Sequence, residues 1–396
     1  MSRAMPSDHH HAAGPPWRNV RVLRAVAQVA VLLVVALGIL YLGGNLTSAM
    51  AQSGLSFDVG FLDQRAGFEI AESPVPYSSN DTYGQAFIVG LLNTLFVSVV
   101  GIVMATMLGV VIGVARLSPN WLLSRAAAGY VEVIRNTPLL VQLFLIYFAV
   151  LLQLPSVRDT ITLPGSVFLN QRGLFVPGPG LSPTFGLWLA ILGGGLVLAV
   201  AARFLEARRA AAGHPPRRLG LLGALAFIGL AIGGWIVVGD PPLTFDMPVR
   251  GRFNFSGGLA LSTSFAALLA GLVIYTAAFI AEVVRGGIQA VRRGQLEAAR
   301  ALGLSEGDTL RLIIFPQALR VIVPPLTSQY LNLAKNSSLA IAVGYPDLFK
   351  VGRTIANQTG QPIPAIVLVM GTYLVISLVT SLLMNLYNRR VQVLER

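Results

Sequence analysis

Long apolar runs alternate with short polar segments along most of this chain. A helix needs about 20 predominantly apolar residues to cross the hydrocarbon core of a bilayer. Eight runs meet or approach that length: 25–43, 86–115, 138–153, 184–203, 219–238, 258–284, 321–342 and 363–387. The third run is short and the seventh contains Lys335, whereas the others are apolar nearly all round. The pattern therefore predicts an all-α polytopic membrane protein with about eight transmembrane helices.

The composition supports this class and excludes others. Of the 396 residues, 54% are hydrophobic and 12% are charged, whereas soluble domains carry about 25% charged residues. Such a chain is neither a soluble enzyme nor a disordered protein. It contains no cysteine, its four histidines lie outside the apolar runs, and no glycine-rich loop precedes a lysine. We therefore expect no catalytic residue, no metal, no cofactor and no ATP hydrolysis through a P-loop.

The distribution of basic residues predicts the orientation in the membrane. If the N-terminus is cytoplasmic, the inner segments contain 21 of the 29 lysines and arginines, as the positive-inside rule requires. We therefore expect a multi-pass inner membrane protein with both termini in the cytoplasm. The net charge of +12 then marks inner loops and not a nucleic-acid surface.

These expectations divide the chain into five parts. In order, they are a cytoplasmic tail, a first transmembrane helix, a periplasmic loop, a transmembrane domain and a second cytoplasmic tail: 1–24, 25–43, 44–85, 86–388 and 389–396. The first helix is expected to be retained, because its apolar run is longer than that of a typical cleaved signal peptide. The periplasmic loop and the Gly- and Pro-rich segment 154–183 are expected to be ordered only in part.

The most informative loop between two spans covers residues 285–320. Residues 295–302 are strong helix formers, and Gly303 permits a left-handed stop after them. Ser305 can then cap a second helix that runs towards Pro316. The segment therefore predicts a helix–turn–helix along the cytoplasmic membrane surface.

Six residues of this loop have the spacing of a known motif: Glu-Ala-Ala, three residues, Gly, nine residues, then Ile-x-Leu-Pro. They are Glu297, Ala298, Ala299, Gly303, Ile313 and Pro316. Phe315 replaces the usual leucine. A chance amphipathic surface helix is the alternative, but six matches at fixed offsets before a final helix pair disfavour it. The loop resembles the coupling signature of type I ABC importer permeases, which implies that these residues dock a separate ATPase.

Further segments narrow the resemblance to one branch. Residues 90–95, 130–142 and 281–289 look like permeases for polar amino acids, and the insert at 151–257 is similar to that of general L-amino acid permeases. The resemblance implies an L-amino acid as cargo. It also implies a lipid bilayer around the chain and protein partners: a second homologous permease in a heterodimer, two ABC ATPase subunits and a periplasmic amino-acid-binding protein. A permease for another small polar solute and a secondary carrier are the alternatives, although a carrier usually shows repeated halves.

Polar residues inside predicted spans are candidates for the substrate pathway, because they are costly in lipid. Spacing by three and four places several of them on one helix face. The candidates are Ser328, Asn332, Lys335, Asn336, Ser337 and Asn93. Lys335 would attract a substrate carboxylate. The alternatives are a snorkelling lysine or a satisfied interhelical network for this group, and helix–helix hydrogen bonding for Asn93.

Two further patterns predict contacts near the helix ends. Glu132 with Arg135 and Glu282 with Arg285 are spaced to form local ion pairs near the cytoplasmic face. The glycines in 109–113 form a GxxxG pattern, which predicts close helix packing.

Overall fold

The architecture is built on helices that are long and apolar enough to span a bilayer. The computed structural model describes residues 20–52, 58–181, 184–211, 218–238, 243–251 and 255–391. Within these ranges seven such helices occur, and a bent helix pair brings the number to eight. The prediction of a helical membrane protein with about eight spans is confirmed. Most of the predicted N-terminal tail and the end of the C-terminal tail lie outside the described residues.

Most predicted spans correspond to single helices with somewhat different ends. In chain order the helices are α1 (Val20–Gln52), α2 (Tyr83–Ala115), α3 (Trp121–Asn136), α4 (Leu139–Phe144), α5 (Phe185–Ala211), α6 (Leu219–Val238), α7 (Thr263–Gln289), α8 (Arg293–Ala301), α9 (Glu306–Asp308), α10 (Phe315–Asn336), α11 (Leu348–Thr359) and α12 (Pro362–Val391). α1 extends well beyond the predicted 25–43. The predicted span 258–284 begins too early, because the residues just before Thr263 form a strand.

The third predicted span is one arm of a broken helix. α3 and the helical segment that begins with α4 meet at 105°. Pro138 disfavours a helical conformation of the preceding residue, and Thr137 is extended (φ −105°, ψ 129°). The buried Gln142 side chain donates its amide to the carbonyls of Ile134 (2.9 Å) and Thr137 (3.0 Å). It thereby satisfies backbone groups that the end of α3 leaves open.

Helices α2 and α7 form the centre of the bundle. Gly109 and Gly113 of α2 are buried against α7, and a Cβ at Gly109 would lie 2.6 Å from the Cβ of Ile280. At Gly113 a Cβ would lie 2.8 Å from the carbonyl oxygen of Ala281. The predicted close packing is therefore confirmed, and the partner helix is α7.

The insert contains β-structure that the sequence pattern does not predict. Its strands are β1 (Ile161–Leu163), β2 (Val167–Asn170), β3 (Gly173–Val176), β4 (Gly178–Leu181), β5 (Leu243–Asp246), β6 (Val249–Arg250), β7 (Phe255–Ser256) and β8 (Leu259–Ser262). β1, β2, β3 and β8 form an antiparallel sheet in that order, while β4 pairs with β5 and β6 with β7. The segment 154–183, which is predicted to be a partly ordered loop, contains four of these strands, β1 to β4. β8 leads directly into α7, so the sheet is attached to the start of the central helix.

A short helix between the last two spans is also missing from the sequence prediction. α11 begins after Asp347, whose buried carboxylate accepts the backbone N–H groups of Phe349 (3.2 Å) and Lys350 (2.9 Å). Burial raises the pKa of Asp347 to about 6, although these hydrogen bonds act in the opposite direction. Apolar residues of α11 pack against α2. The approach is close, because a Cβ added at Gly90 would lie 3.1 Å from the Cα of Leu348.

Candidate functional site

The predicted helix–turn–helix is present at the end of α7. α8 covers most of the expected first helix, and Gly303 follows it with φ +73°. The N–H of Gly303 donates to the carbonyl of Arg300 (3.0 Å), and that of Leu304 donates to the carbonyl of Ala299 (3.1 Å). This pair of bonds closes the helix in a Schellman motif that requires a left-handed residue. Gly303 meets that requirement without steric cost.

The second helix begins as predicted and continues much further. The Ser305 hydroxyl accepts the N–H of Asp308 at 3.2 Å, which caps α9. A π-helical segment, Thr309–Ile314, connects α9 to α10. Pro316 lies at the start of α10, and its missing N–H explains why the regular hydrogen-bond ladder is interrupted there. A helical path therefore runs from the surface turn into the seventh span.

The six motif residues differ in exposure. Glu297 and Ala298 are exposed on α8, whereas Ala299 is buried against the protein. Gly303 and Pro316 are exposed, and Ile313 is half-buried. Ala299 therefore anchors α8 while the preceding two residues remain available to a partner.

An ion-pair cluster links three helices at the same end of the bundle. Glu282 of α7 accepts hydrogen bonds from Arg116, which follows α2, and from Arg285. Arg135 of α3 places a guanidinium nitrogen 3.8 Å from the same carboxylate. The predicted pair of Glu282 and Arg285 is confirmed. The predicted pair of Glu132 and Arg135 is wrong, because Arg135 turns towards Glu282.

Lys335 lines a cavity of about 690 Å³ between α10, α11 and α12. Its ammonium group forms no hydrogen bond or ion pair within the described part of the chain. Arg353 of α11 lines the same cavity and is also without a partner among those residues. The remaining wall is largely apolar and includes Phe349 and Tyr373. Two unpaired cations above an apolar wall are suited to a ligand that carries a carboxylate.

The other pathway candidates do not join Lys335 in this cavity. Ser328 and Asn332 are exposed on the same face of α10, and Asn336 is half-buried. The buried Ser337 hydroxyl donates to the carbonyl of Ala334 (2.7 Å). The buried Asn93 amide donates to two backbone carbonyls, those of Glu72 (2.8 Å) and Pro346 (2.9 Å).

Arg353 was not among the predicted candidates. The sequence contains a signal for its helix, because Asp347 is a strong N-cap and apolar residues recur at Leu348, Val351 and Ile355. That signal predicts a short amphipathic helix. It does not predict that the helix packs beside the end of α10 and brings Arg353 to the cavity that Lys335 lines.

The fold and the site define a multi-pass helical membrane protein that carries a surface helix–turn–helix before its last spans. The sequence profile of binding-protein-dependent transport system inner membrane components matches residues 101–393. The chain belongs to this family and is a permease subunit of an ABC importer.

Similar proteins match over nearly their whole length. The putative amino-acid ABC transporter permease protein YhdX of Escherichia coli K12 is 48% identical, over 96% of both chains. The general L-amino acid transport system permease protein AapQ of Rhizobium johnstonii is 45% identical, over 98% of this chain and 97% of its own. The glutamate/glutamine/aspartate/asparagine transport system permease protein BztB of Rhodobacter capsulatus is 41% identical, over 96% of both chains.

Proposed function

We propose that this chain forms part of the pathway of an amino-acid importer and couples it to an ATPase through residues 295–316. The observation that carries the coupling role is the rigid turn at Gly303, which places the exposed Glu297 and Ala298 beside a continuous helical path into α10. A displacement of α8 by a bound partner would be transmitted to that helix. The amino-acid cargo is supported by the similarity to YhdX, AapQ and BztB, each of which is named as an amino-acid transport permease.

We infer the partners from the functions and the surfaces that this chain alone does not complete. Two ABC ATPase subunits would bind at the α8 surface, and a periplasmic amino-acid-binding protein would deliver the substrate on the opposite side. The exposed polar face of α10, with Ser328, Asn332 and Lys335, should not contact lipid. A second, homologous permease that covers this face across a water-filled pathway would complete the transporter, and we propose that the pair is a heterodimer.

The proposed orientation places both termini in the cytoplasm. α7 begins at the sheet of the insert and ends beside α8, so these two features lie at opposite ends of the bundle. The Glu282 cluster, with its three arginines, lies at the α8 end. An excess of basic residues on that side supports its assignment to the cytoplasm.

The coupling role is tested by a matched pair of glycine variants in the same loop. Gly303→Val forces a β-branched residue into a left-handed conformation, at a cost of about 1–2 kcal/mol. At Gly307 a Cβ would meet only the Ser305 hydroxyl, at an ordinary contact distance of 3.9 Å, and the backbone conformation is not left-handed. With the ATPase and the binding protein present, we expect Gly303→Val to reduce substrate-stimulated ATP hydrolysis about five- to thirtyfold, and Gly307→Val to leave it near the native value.

Membrane insertion and assembly of both variants are checked by co-purification of the ATPase from native membranes before activity is measured. Equal stimulated activity in the two variants, at equal assembly, would refute the assignment of the turn as the coupling element.

A further inference from the structure

A second cavity lies at the end of the bundle opposite α8. Its volume is about 740 Å³. Its walls include the segment before α2 (58–82), the sheet of the insert and the beginning of α7. Residues of α2, of the helical segment that follows α4 and of the loop before α11 complete the lining. In the proposed orientation this outer cavity faces the periplasm, where substrate arrives.

Hydrogen bonds join the segment before α2, the sheet of the insert and the beginning of α7 to one another. Glu72 comes from the first segment; its backbone carbonyl accepts the amide of Asn93, and its carboxylate accepts the hydroxyl of Ser262. Thr263, the next residue, donates its backbone N–H to the carbonyl of Arg172 (3.2 Å) and its hydroxyl to that of Gln171 (2.7 Å). Glu72 and Arg172 are therefore held against consecutive residues at the junction of β8 and α7.

The two charged residues on the wall differ in environment. Glu72 is half-buried, and burial raises the pKa of its carboxyl, although the Ser262 hydrogen bond and the Lys350 charge lower it. A cationic group beside it would favour the ionised form. Arg172 is exposed, and its guanidinium forms no hydrogen bond or ion pair in the described ranges of the chain.

Neither group forms a salt bridge with a neighbouring charge among the residues that the structure describes. The Lys350 ammonium is bound to the carbonyl of Gly344 and forms no salt bridge within the part of the chain that the structure describes. The Asp347 carboxylate is occupied by the cap of α11 and by the hydroxyl of Tyr373 (3.1 Å). Among the described residues that line it, the outer cavity thus presents one carboxylate and one guanidinium that form no salt bridge.

The rest of the wall is apolar and aromatic. Phe96 and Phe265 stack with their ring centroids 5.6 Å apart, and Tyr345 lies at the same distance from Phe265. Phe175 and Leu261 contribute from the strands. Such a surface accepts side chains of different shape without a specific hydrogen-bond requirement.

We propose that the outer cavity binds a free amino acid as a zwitterion, with Arg172 holding its α-carboxylate and Glu72 its α-ammonium, before it enters the pathway lined by Lys335. This inference rests on the proposed function, because only a transported amino acid needs a site at this end. Both contacts go to groups shared by all amino acids, while the side chain faces the aromatic wall. The site is therefore suited to a broad range of amino acids.

The test measures protection of a single cysteine in the outer cavity. The native chain has no cysteine, and Gln171→Cys places an exposed thiol on the wall. In the assembled transporter in nanodiscs, without binding protein or ATP, N-ethylmaleimide modification of this thiol is followed while L-glutamine, L-glutamate or L-arginine is titrated. We expect these amino acids to slow modification, whereas n-butylamine and butyrate, which each carry one of the two charges, do not.

Matched variants identify the groups that bind. Arg172→Met or Glu72→Gln should raise the half-protecting concentration about tenfold or more, as the loss of one charge-assisted hydrogen bond implies. Arg172→Lys, which keeps the charge, should have a smaller effect. Arg158→Met and Glu69→Gln change exposed residues of the same insert and the same segment and should have none.

The outcomes separate this inference from the proposed function. Absent protection in a transporter that imports the same amino acids would overturn the outer site alone, as would equal protection in all variants. Protection that depends on Arg172, in a system that imports no amino acid, would instead overturn the proposed function and leave the binding site standing.

Discussion

At the scale of single residues, the position of Lys335 is informative because the chain contains only two lysines. It lies near the end of α10, and Arg353 approaches the same cavity from α11. A cation within a membrane span is costly unless a partner or water compensates its charge. Its presence there therefore favours a ligand that brings the compensating anion.

Lys335→Met keeps the length of the side chain and removes its charge. We expect the apparent affinity for uptake to fall about tenfold to a hundredfold for every transported amino acid, because losing one charge-assisted hydrogen bond costs roughly 1.5–3 kcal/mol. Uptake kinetics in membrane vesicles measure this effect. Lys335→Arg should retain most of the affinity, and binding to the isolated periplasmic protein should not change. Unaltered affinity in a fully assembled Lys335→Met transporter would show that the residue has a structural role.

At the scale of helices and strands, the sequence predicts what depends on local pattern. The apolar runs identify the spans, and the turn after α8 follows from Gly303 and Ser305 because both have local backbone requirements. The strands are missed for a different reason. β3 pairs with β8 across more than 80 residues of chain, and no local periodicity encodes such a partner.

The candidate sites likewise divide into those that local sequence predicts and those that depend on contacts between distant segments. The coupling motif is contiguous in the chain and can be found from spacing alone. Glu72 and Arg172 lie far apart in the chain and line one cavity. Ser262 binds the carboxylate of Glu72, and the next residue, Thr263, binds the backbone carbonyl of Arg172. Arg353 likewise reaches the Lys335 cavity because α11 packs beside the end of α10. The spacing of residues in the sequence does not predict that packing.

The contact between α2 and α7 gives a prediction for stability. Gly109→Ala would place a methyl group 2.6 Å from the Cβ of Ile280, well inside the contact distance of about 3.5–4.0 Å. We expect a destabilisation of about 1–3 kcal/mol, typical of overpacking. Gly371→Ala in α12 meets nothing within 4 Å and serves as the control. Thermal unfolding of the purified chain in detergent should show a lower midpoint for the first variant only; equal midpoints would contradict the close approach.

At the scale of the whole molecule, the orientation of the bundle is a prediction that single cysteines can test. Asp63→Cys, Asp159→Cys and Met247→Cys occupy exposed positions at the proposed periplasmic end. Leu122→Cys, Arg208→Cys and Glu306→Cys are exposed at the other end. We expect an impermeant thiol reagent to label the first three in intact spheroplasts and the second three only after permeabilisation. Labelling of position 208 from outside would show that the α5–α6 pair has the opposite orientation.

The pairing of β4 with β5 has a consequence for how such a chain can change its length. The register places Leu181 opposite Leu243, and directly opposed residues of antiparallel strands lie about 5 Å apart. The segment between them therefore begins and ends at neighbouring points of the structure. Its helices α5 and α6 pack on each other, and the indole N–H of Trp188 donates to the carbonyl of Ala231 (3.2 Å). Because the segment contributes two membrane spans, an even number, the helices that follow keep the same orientation in the membrane whether or not it is present. One insertion or deletion in the gene would therefore add or remove the pair without reversing the remainder of the transporter.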